Sequence, residues 1–182
     1  MNVAVYSGSF DPVTFEDLDL IKRGSGLFDQ IIVAVLNNAD LHPLFTINER
    51  MQLLTRVTQQ LANVRVQSYD GLLINFMKRE EAHIILRGLR TVSDFARDLQ
   101  MTRANNSLTY SIESCFMIID SRYTFLSSSV VKEIVKYGGM VSAFVPAEVN
   151  RVLEQKFNPT CISQQRMTEG SSGGNDYVSI FS

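Results

Sequence analysis

The strongest constraint on this chain is a regular alternation of two apolar patterns. Short, nearly continuous apolar runs alternate with longer runs whose apolar residues recur every three or four positions. The short runs are "VAVYS" (3–7), "IIVAVL" (31–36), "VRVQS" (64–68), "HIILRG" (83–88) and "ESCFMIID" (113–120). An unbroken run such as "IIVAVL" suits a strand covered on both faces, as in a parallel sheet. The longer runs predict helices over 14–28, 46–61, 71–81, 91–108, 127–139 and 146–157. In the first, Phe15, Leu18, Ile21 and Leu27 share helical spacing, although Gly24 and Gly26 loosen its end. Thr46 and Glu49 form a capping-box pattern, Thr91 or Ser93 starts the fourth helix, and Gly138 closes the fifth. Pro146 suits the first turn of the sixth.

Strand and helix in alternation give an α/β fold: a five-stranded parallel sheet with helices on both faces. Ligands of such sheets collect beyond the carboxyl ends of the strands. Three polar stretches follow strands and are expected to meet on that edge: "SGSFDP" (7–12), "RGLRTVSDF" (87–95) and "SRYTFLSSS" (121–129).

Totals narrow the function classes. A length of 182 residues suits one domain, here residues 1–157, followed by a tail over 158–182. The tail contains "GSSGG", a linker composition, and reads as flexible; its "DYVSIF" is the one segment suited to docking on a sheet edge or groove. A net charge of −2 supplies no basic field for nucleic acid. No apolar run approaches the roughly 20 residues of a membrane span, and the N-terminus reads as a strand rather than a signal segment. A cytoplasmic protein with neither nucleic acid nor membrane as partner is expected. Cys115 and Cys161 lack metal-ligand spacing and read as free thiols, and His42 and His83 form no zinc or Ser/His/Asp motif.

The three polar stretches carry the chemistry. Gly8, directly after a strand, suits close ligand approach or a positive φ. Ser9 adds a hydroxyl and an N–H, and the helix that follows aims its first N–H groups at the same space. Arg87 and Arg90 flank Gly88 at a strand end, where two guanidiniums clamp phosphates and the missing side chain clears the way. Ser127, Ser128 and Ser129 open a helix, one as its cap and the others as spare donors. Against this stand Glu16 and Asp17, in the first turn of the first helix. Acids there suit the helix dipole, but they repel a phosphate. With Asp11 and Asp19 they also raise a different reading, a Mg²⁺ site.

"SGSFDPVT", "FTINER", "LRGLRTVSDF" and "FLSSSVVKEIVKYGG", in this order and spacing, resemble bacterial phosphopantetheine adenylyltransferase of the nucleotidyltransferase superfamily. The resemblance runs from about Asn2 to Phe157. It implies a Rossmann-like fold, transfer of AMP from Mg²⁺-ATP to 4′-phosphopantetheine to give dephospho-CoA and pyrophosphate (a step of coenzyme A synthesis), and a cytoplasmic homohexamer. By position it implies that Ser9 and Phe10 form the first nucleotide loop, with Ser9 also touching substrate. Leu73 would make a backbone contact to the pantetheine arm, and Arg87 would bind that substrate. Gly88, Leu89, Arg90 and Asp98 fall in the nucleotide-binding segment, Asp98 standing where the family has Glu. Tyr123, Thr124, Phe125, Leu126, Ser127, Ser128 and Ser129 fall in the segment that closes over ATP, with Tyr123 in place of a common Trp. Two positions depart from the pattern. The hallmark Thr/His-x-Gly-His reads Thr14, Phe15, Glu16, Asp17 here, so Asp17 holds the place of the catalytic, α-phosphate-steadying His. Leu41 holds the place of a substrate-binding Lys, beside His42. Two function classes follow: an adenylyltransferase of impaired activity, or a non-catalytic nucleotide- or CoA-binding relative.

Overall fold

A computed structural model describes residues 1–37, 43–108 and 112–157. Leu41, His42, Cys161 and the tail from Asn158 lie outside these residues.

Five strands form one parallel sheet: β1 (Val3–Gly8), β2 (Gln30–Leu36), β3 (Val64–Tyr69), β4 (Ile84–Leu89) and β5 (Glu113–Ile118). Six α-helices accompany them: α1 (Phe15–Ser25), α2 (Ile47–Thr58), α3 (Leu73–Arg79), α4 (Val92–Leu108), α5 (Ser128–Lys136) and α6 (Ala147–Phe157). A 3₁₀ turn, Ser121–Tyr123, leads into α5. The sheet order is β3-β2-β1-β4-β5. The chain therefore works outward from β1 in one direction, then returns to its other side with β4. The carboxyl ends of β1 and β4 flank the switch point, where two loops diverge and leave a crevice.

Side-chain alternation assigns the faces. Ala4, Ile31, Val33, Val35, Leu86 and Met117 point to one face, where Leu20 and Ile21 of α1, Leu53 and Leu54 of α2, Val131 and Val135 of α5, and Val149 and Leu153 of α6 cover them. Val3, Val5, Ile32, Ala34 and Ile85 point to the other, where Ile74, Phe76 and Met77 of α3 pack. Helix α4 lies on this second face, its Phe95 ring meeting Phe116 edge-on at 5.7 Å and its Thr102 hydroxyl donating to Ser114 at 3.0 Å. Among the described side chains of α4 none is buried, and Val92, Phe95 and Met101 are exposed.

The predicted elements hold, with shorter helices. Helix α1 ends at Ser25 with Gly26 as C-cap, so Leu27, expected on its apolar face, stands 66% exposed. Thr46 and Glu49 close the capping box of α2, Thr91 rather than Ser93 caps the backbone N–H of Asp94, and Gly138 takes φ +78 after α5. Pro146 precedes α6 instead of lying in it.

Two glycines act differently from expectation. Gly8 does not carry the positive φ; Phe10 does, at +47, with its ring folded back under Gly8 and edge-on to Tyr6 at 5.3 Å. A Cβ on Gly8 would stand 3.1 Å from that ring. At Gly88 a Cβ would point into the core, 2.6 Å from Ile119 Cδ1 and 2.8 Å from Leu20 Cδ1. The residue thus lets α1 settle on β4, rather than clearing a path for ligand.

Substitution Gly88→Ala is therefore expected to cost about 1–2 kcal/mol of stability, the Ile119 and Leu20 tips giving way in part. Urea denaturation measures it as a lower midpoint with an unchanged slope.

Candidate functional site

The three connections expected to converge do so. A cleft of about 280 Å³ at the switch point is lined by Tyr6, Ser7, Ser9 and Thr14 from β1 and its loop, and by Glu16 and Asp17 of α1. Arg87, Gly88 and Arg90 enter from β4, Arg97 and Asp98 from α4, and Ser127, Ser128 and Ser129 from the start of α5. The volume lies just below the usual range of ligand pockets.

The framework of the cleft is a buried polar clamp. Asp11, 2% exposed, accepts hydrogen bonds from the backbone N–H of Leu44 and of Phe45, both at 2.8 Å, and from Lys132 Nζ at 3.0 Å. One carboxylate so joins the loop after β1 to the start of α2 and to α5. Arg50, also buried, donates from Nη1 to the carbonyls of Ser9 at 2.9 Å and Leu36 at 3.2 Å, fixing the ends of the loop after β1 and of β2. Ser128 donates to the Pro12 carbonyl at 2.8 Å. Arg50 escaped the sequence reading because "NERMQLL" shows a capping Glu49 and an amphipathic helix, and nothing in that pattern marks the Arg as turned inward.

Asp17 is the N3 residue of α1. Its Oδ2 accepts from Thr14 N at 2.8 Å and Thr14 Oγ1 at 3.0 Å, and its Oδ1 accepts from the Tyr6 hydroxyl at 2.9 Å. With the Asp17 N–H donating back to Thr14 Oγ1 at 3.4 Å, this is a capping box, read from the sequence at Thr46 but not here. Both carboxylate oxygens are occupied. Burial pushes the Asp17 pKa up, opposed by the hydrogen bonds from Thr14 and Tyr6. Tyr6 is held protonated, well above its ordinary value, by burial and by the facing Asp17 charge.

Glu16 turns into the cleft from the same helical turn. Its Oε2 lies 3.4 Å from Arg90 Nη1. Burial raises its pKa to about 7; Arg90 pulls the other way, while Asp17 and Asp94 add to the rise. Arg90 also donates to the Leu126 carbonyl at 2.9 Å and faces Asp94 at 3.5 Å. Arg97 stands at the rim, 3.5 Å from the other oxygen of Asp94. Among the described residues no ion pair engages Arg87.

The four acids weighed as a Mg²⁺ site do not come together. Asp11 faces Lys132, Asp17 faces Tyr6, Glu16 faces Arg90, and Asp19 faces Arg23 at 3.1 Å. Among the described residues no group of three potential metal ligands forms.

The remaining candidates are divided. Ser9, Asp17, Arg87, Gly88, Arg90, Asp98 and Ser127 to Ser129 line the cleft. Of the three serine hydroxyls, that of Ser127 accepts from Val130 N as the α5 cap and that of Ser128 is spent on Pro12. Phe10 and Leu126 are core side chains and do not line the cleft. Leu89 accepts from Ile119 N through its carbonyl, Thr124 donates to Ser121, Tyr123 stacks near Phe15 at 6.4 Å, and Phe125 stands 62% exposed beside Phe144. Leu73 opens α3 and packs against the second-face core, away from the cleft lining. Tyr6, Ser7, Thr14 and Arg97 also line the cleft, although the sequence marks none of them as a binding residue.

Comparison with known proteins agrees with this architecture. The profile of the cytidylyltransferase-like family matches residues 5–134. In structure the chain is similar to a protein from Vibrio parahaemolyticus assigned as a nicotinate-nucleotide adenylyltransferase, with 14% identity and TM-score 0.59 over 85% of this chain and 93% of that one. It is also similar to the nicotinic acid mononucleotide adenylyltransferase of Plasmodium falciparum complexed with NaAD, with 15% identity and TM-score 0.63 over 86% of this chain and 96% of that one. At these identities the likeness concerns the fold.

Asp17→Ala removes the reciprocal half of the α1 capping box, leaving the Thr14 N–H without its acceptor, and strands the Tyr6 hydroxyl; it should cost about 1–3 kcal/mol. Asp17→Asn, which keeps one acceptor oxygen, should cost less. Equilibrium unfolding in urea orders the three proteins.

Proposed function

Since the chain belongs to the cytidylyltransferase-like family, we propose that its cleft binds ATP and 4′-phosphopantetheine and performs, slowly, the adenylyl transfer that yields dephospho-CoA and pyrophosphate. The observation that carries this reading is the convergence of Arg87, Arg90, Arg97 and the start of α5 on the switch point, in the sequence context "LRGLRTVSDF" and "FLSSSVVKE". ATP enters as its magnesium complex, the ion travelling on the phosphate chain. A phosphate oxygen of the acceptor attacks the α-phosphorus in line; the new P–O bond forms as the bond to the β-phosphate bridging oxygen breaks, and pyrophosphate leaves with those electrons.

The protein's part is positioning and charge stabilisation. Arg87 holds the acceptor phosphate and Arg90 the nucleotide phosphates, while Ser9 and the N–H groups at the start of α5 orient the chain. Position 17 supplies no donor to the α-phosphate, because the Asp17 oxygens are acceptors already engaged by Thr14 and Tyr6. Losing one transition-state donor costs roughly 3–4 kcal/mol, or about 10²–10³ in rate. The same capping geometry favours a second reading: a relative that binds these ligands without turning them over.

The test is pyrophosphate release with ATP, Mg²⁺ and 4′-phosphopantetheine, parent beside the triple variant Glu16→Gly, Asp17→His, Leu41→Lys, with circular dichroism confirming that both are folded. The parent is expected to run about 10²–10³ below the variant. Parity within about tenfold would mean that position 17 does not limit the reaction. No release by the parent, with ligand still bound, would establish the non-catalytic reading. Nicotinic acid mononucleotide as alternative acceptor should give no release.

The homohexamer belongs to the same reading. Its support is the exposed apolar side chains Val92, Phe95 and Met101 of α4 and Ile118 of β5, the last 76% exposed. Sedimentation velocity is expected to show one species of six chains, dissociated by Phe95→Glu.

A further inference from the structure

The cleft that would take a phosphate chain already holds an anion of its own. Glu16 extends from the first turn of α1 with its side chain only 11% exposed, and its carboxylate stands on the Nη1 of Arg90. Arg90 has no other place to go: the same nitrogen is anchored to the Leu126 carbonyl and its Nε faces Asp94. An incoming phosphate must therefore meet Arg90 beside Glu16. We propose that Glu16 is the specificity-determining residue of this cleft, an internal anion that a ligand phosphate replaces on Arg90 only as Glu16 takes up a proton.

This rests on the reading of the cleft as a nucleotide-phosphate site and adds to it a rule for which charge state enters. The charged groups around Glu16 divide by sign: the carboxylates favour its protonated form and the arginines its charged form, and an arriving phosphate adds to the first while occupying the second. On its own helix lies Asp17; on β1, Tyr6 keeps its proton against Asp17; from β4 come Arg87 and Arg90; from α4 come Asp94, Arg97 and Asp98. Helix α5 brings serines, its Lys132 being turned away onto Asp11. Without ligand, Arg90 is the main influence holding the Glu16 charge in place against burial, and the carboxyl titrates at about 7. With ligand, Arg90 is shared with a phosphate whose own negative charge faces Glu16. Protonated Glu16 is then the favoured form, and its O–H can donate to a phosphate oxygen.

The linkage has a definite sign. Binding couples to proton uptake, so affinity falls as pH rises above the Glu16 pKa. The probe must not titrate itself near neutrality. P¹,P²-di(adenosine-5′) pyrophosphate serves, because both of its phosphates are diesters; dephospho-CoA is a second probe of the same kind. Calorimetry of the parent and of Glu16→Gln at about pH 6 and about pH 8, in two buffers of different ionisation enthalpy, reads both affinity and protons exchanged. The parent should bind about tenfold more weakly at the higher pH and take up close to one proton there. Glu16→Gln should change less than about twofold and take up none. A parent whose affinity is flat, or a variant that keeps the parent's slope, overturns the role of Glu16 while leaving the nucleotide site standing. Absence of binding by both proteins to both probes at the lower pH overturns the nucleotide site, and this inference with it.

Discussion

Everything at the switch point depends on the buried carboxylate of Asp11. It lies within the loop after β1, yet its partners are the residues leading to α2 and a lysine on α5. A charge this deep is stable only when its oxygens are filled, and here two backbone N–H groups and one ammonium fill them. The geometry that satisfies Asp11 also sets the distance between Ser9, the α1 N-terminus and the serines of α5. Arg50 does the same from the opposite side, by drawing the Ser9 and Leu36 carbonyls together. The cleft is thus a consequence of polar burial beneath it, and its rim residues inherit their positions.

The sheet and most helices were legible because their signal is local and repeated. A run such as Ile31 to Leu36 announces burial on both faces, and Thr46 with Glu49 announces a helix start three residues apart. The meeting of the three loops was legible too, since topology alone sends them to one edge. What was not legible depends on contacts between elements. Gly88 looked like a gap for ligand, and only the packing of α1 on β4 shows that Leu20 and Ile119 fill that side. Gly8 suits close ligand approach or a positive φ, yet the ring of Phe10 fills the space beside it and the positive φ lies at Phe10 itself. The inward turn of Arg50 and the pairing of Tyr6 with Asp17 join residues 41 and 11 positions apart, and no periodicity reports such partners.

The charge layout of the cleft has a common physical origin. Arginines gathered at one sheet edge need counter-charges. Asp94 satisfies Arg90 and Arg97, and Glu16 satisfies Arg90 from the other wall. Arg90 and Arg97 are therefore paired within the cleft, and an anion approaching them competes with carboxylates of the same chain rather than with water alone.

The capping box of α1 has a consequence for how this sequence can change. Thr14, Asp17 and Tyr6 form one closed set of donors and acceptors, and the helix start is built on it. An imidazole at position 17 would take that carboxylate away from two partners at once, before offering anything to a ligand. The aspartate is entrenched: its replacement becomes neutral only after position 6 or 14 has found another partner.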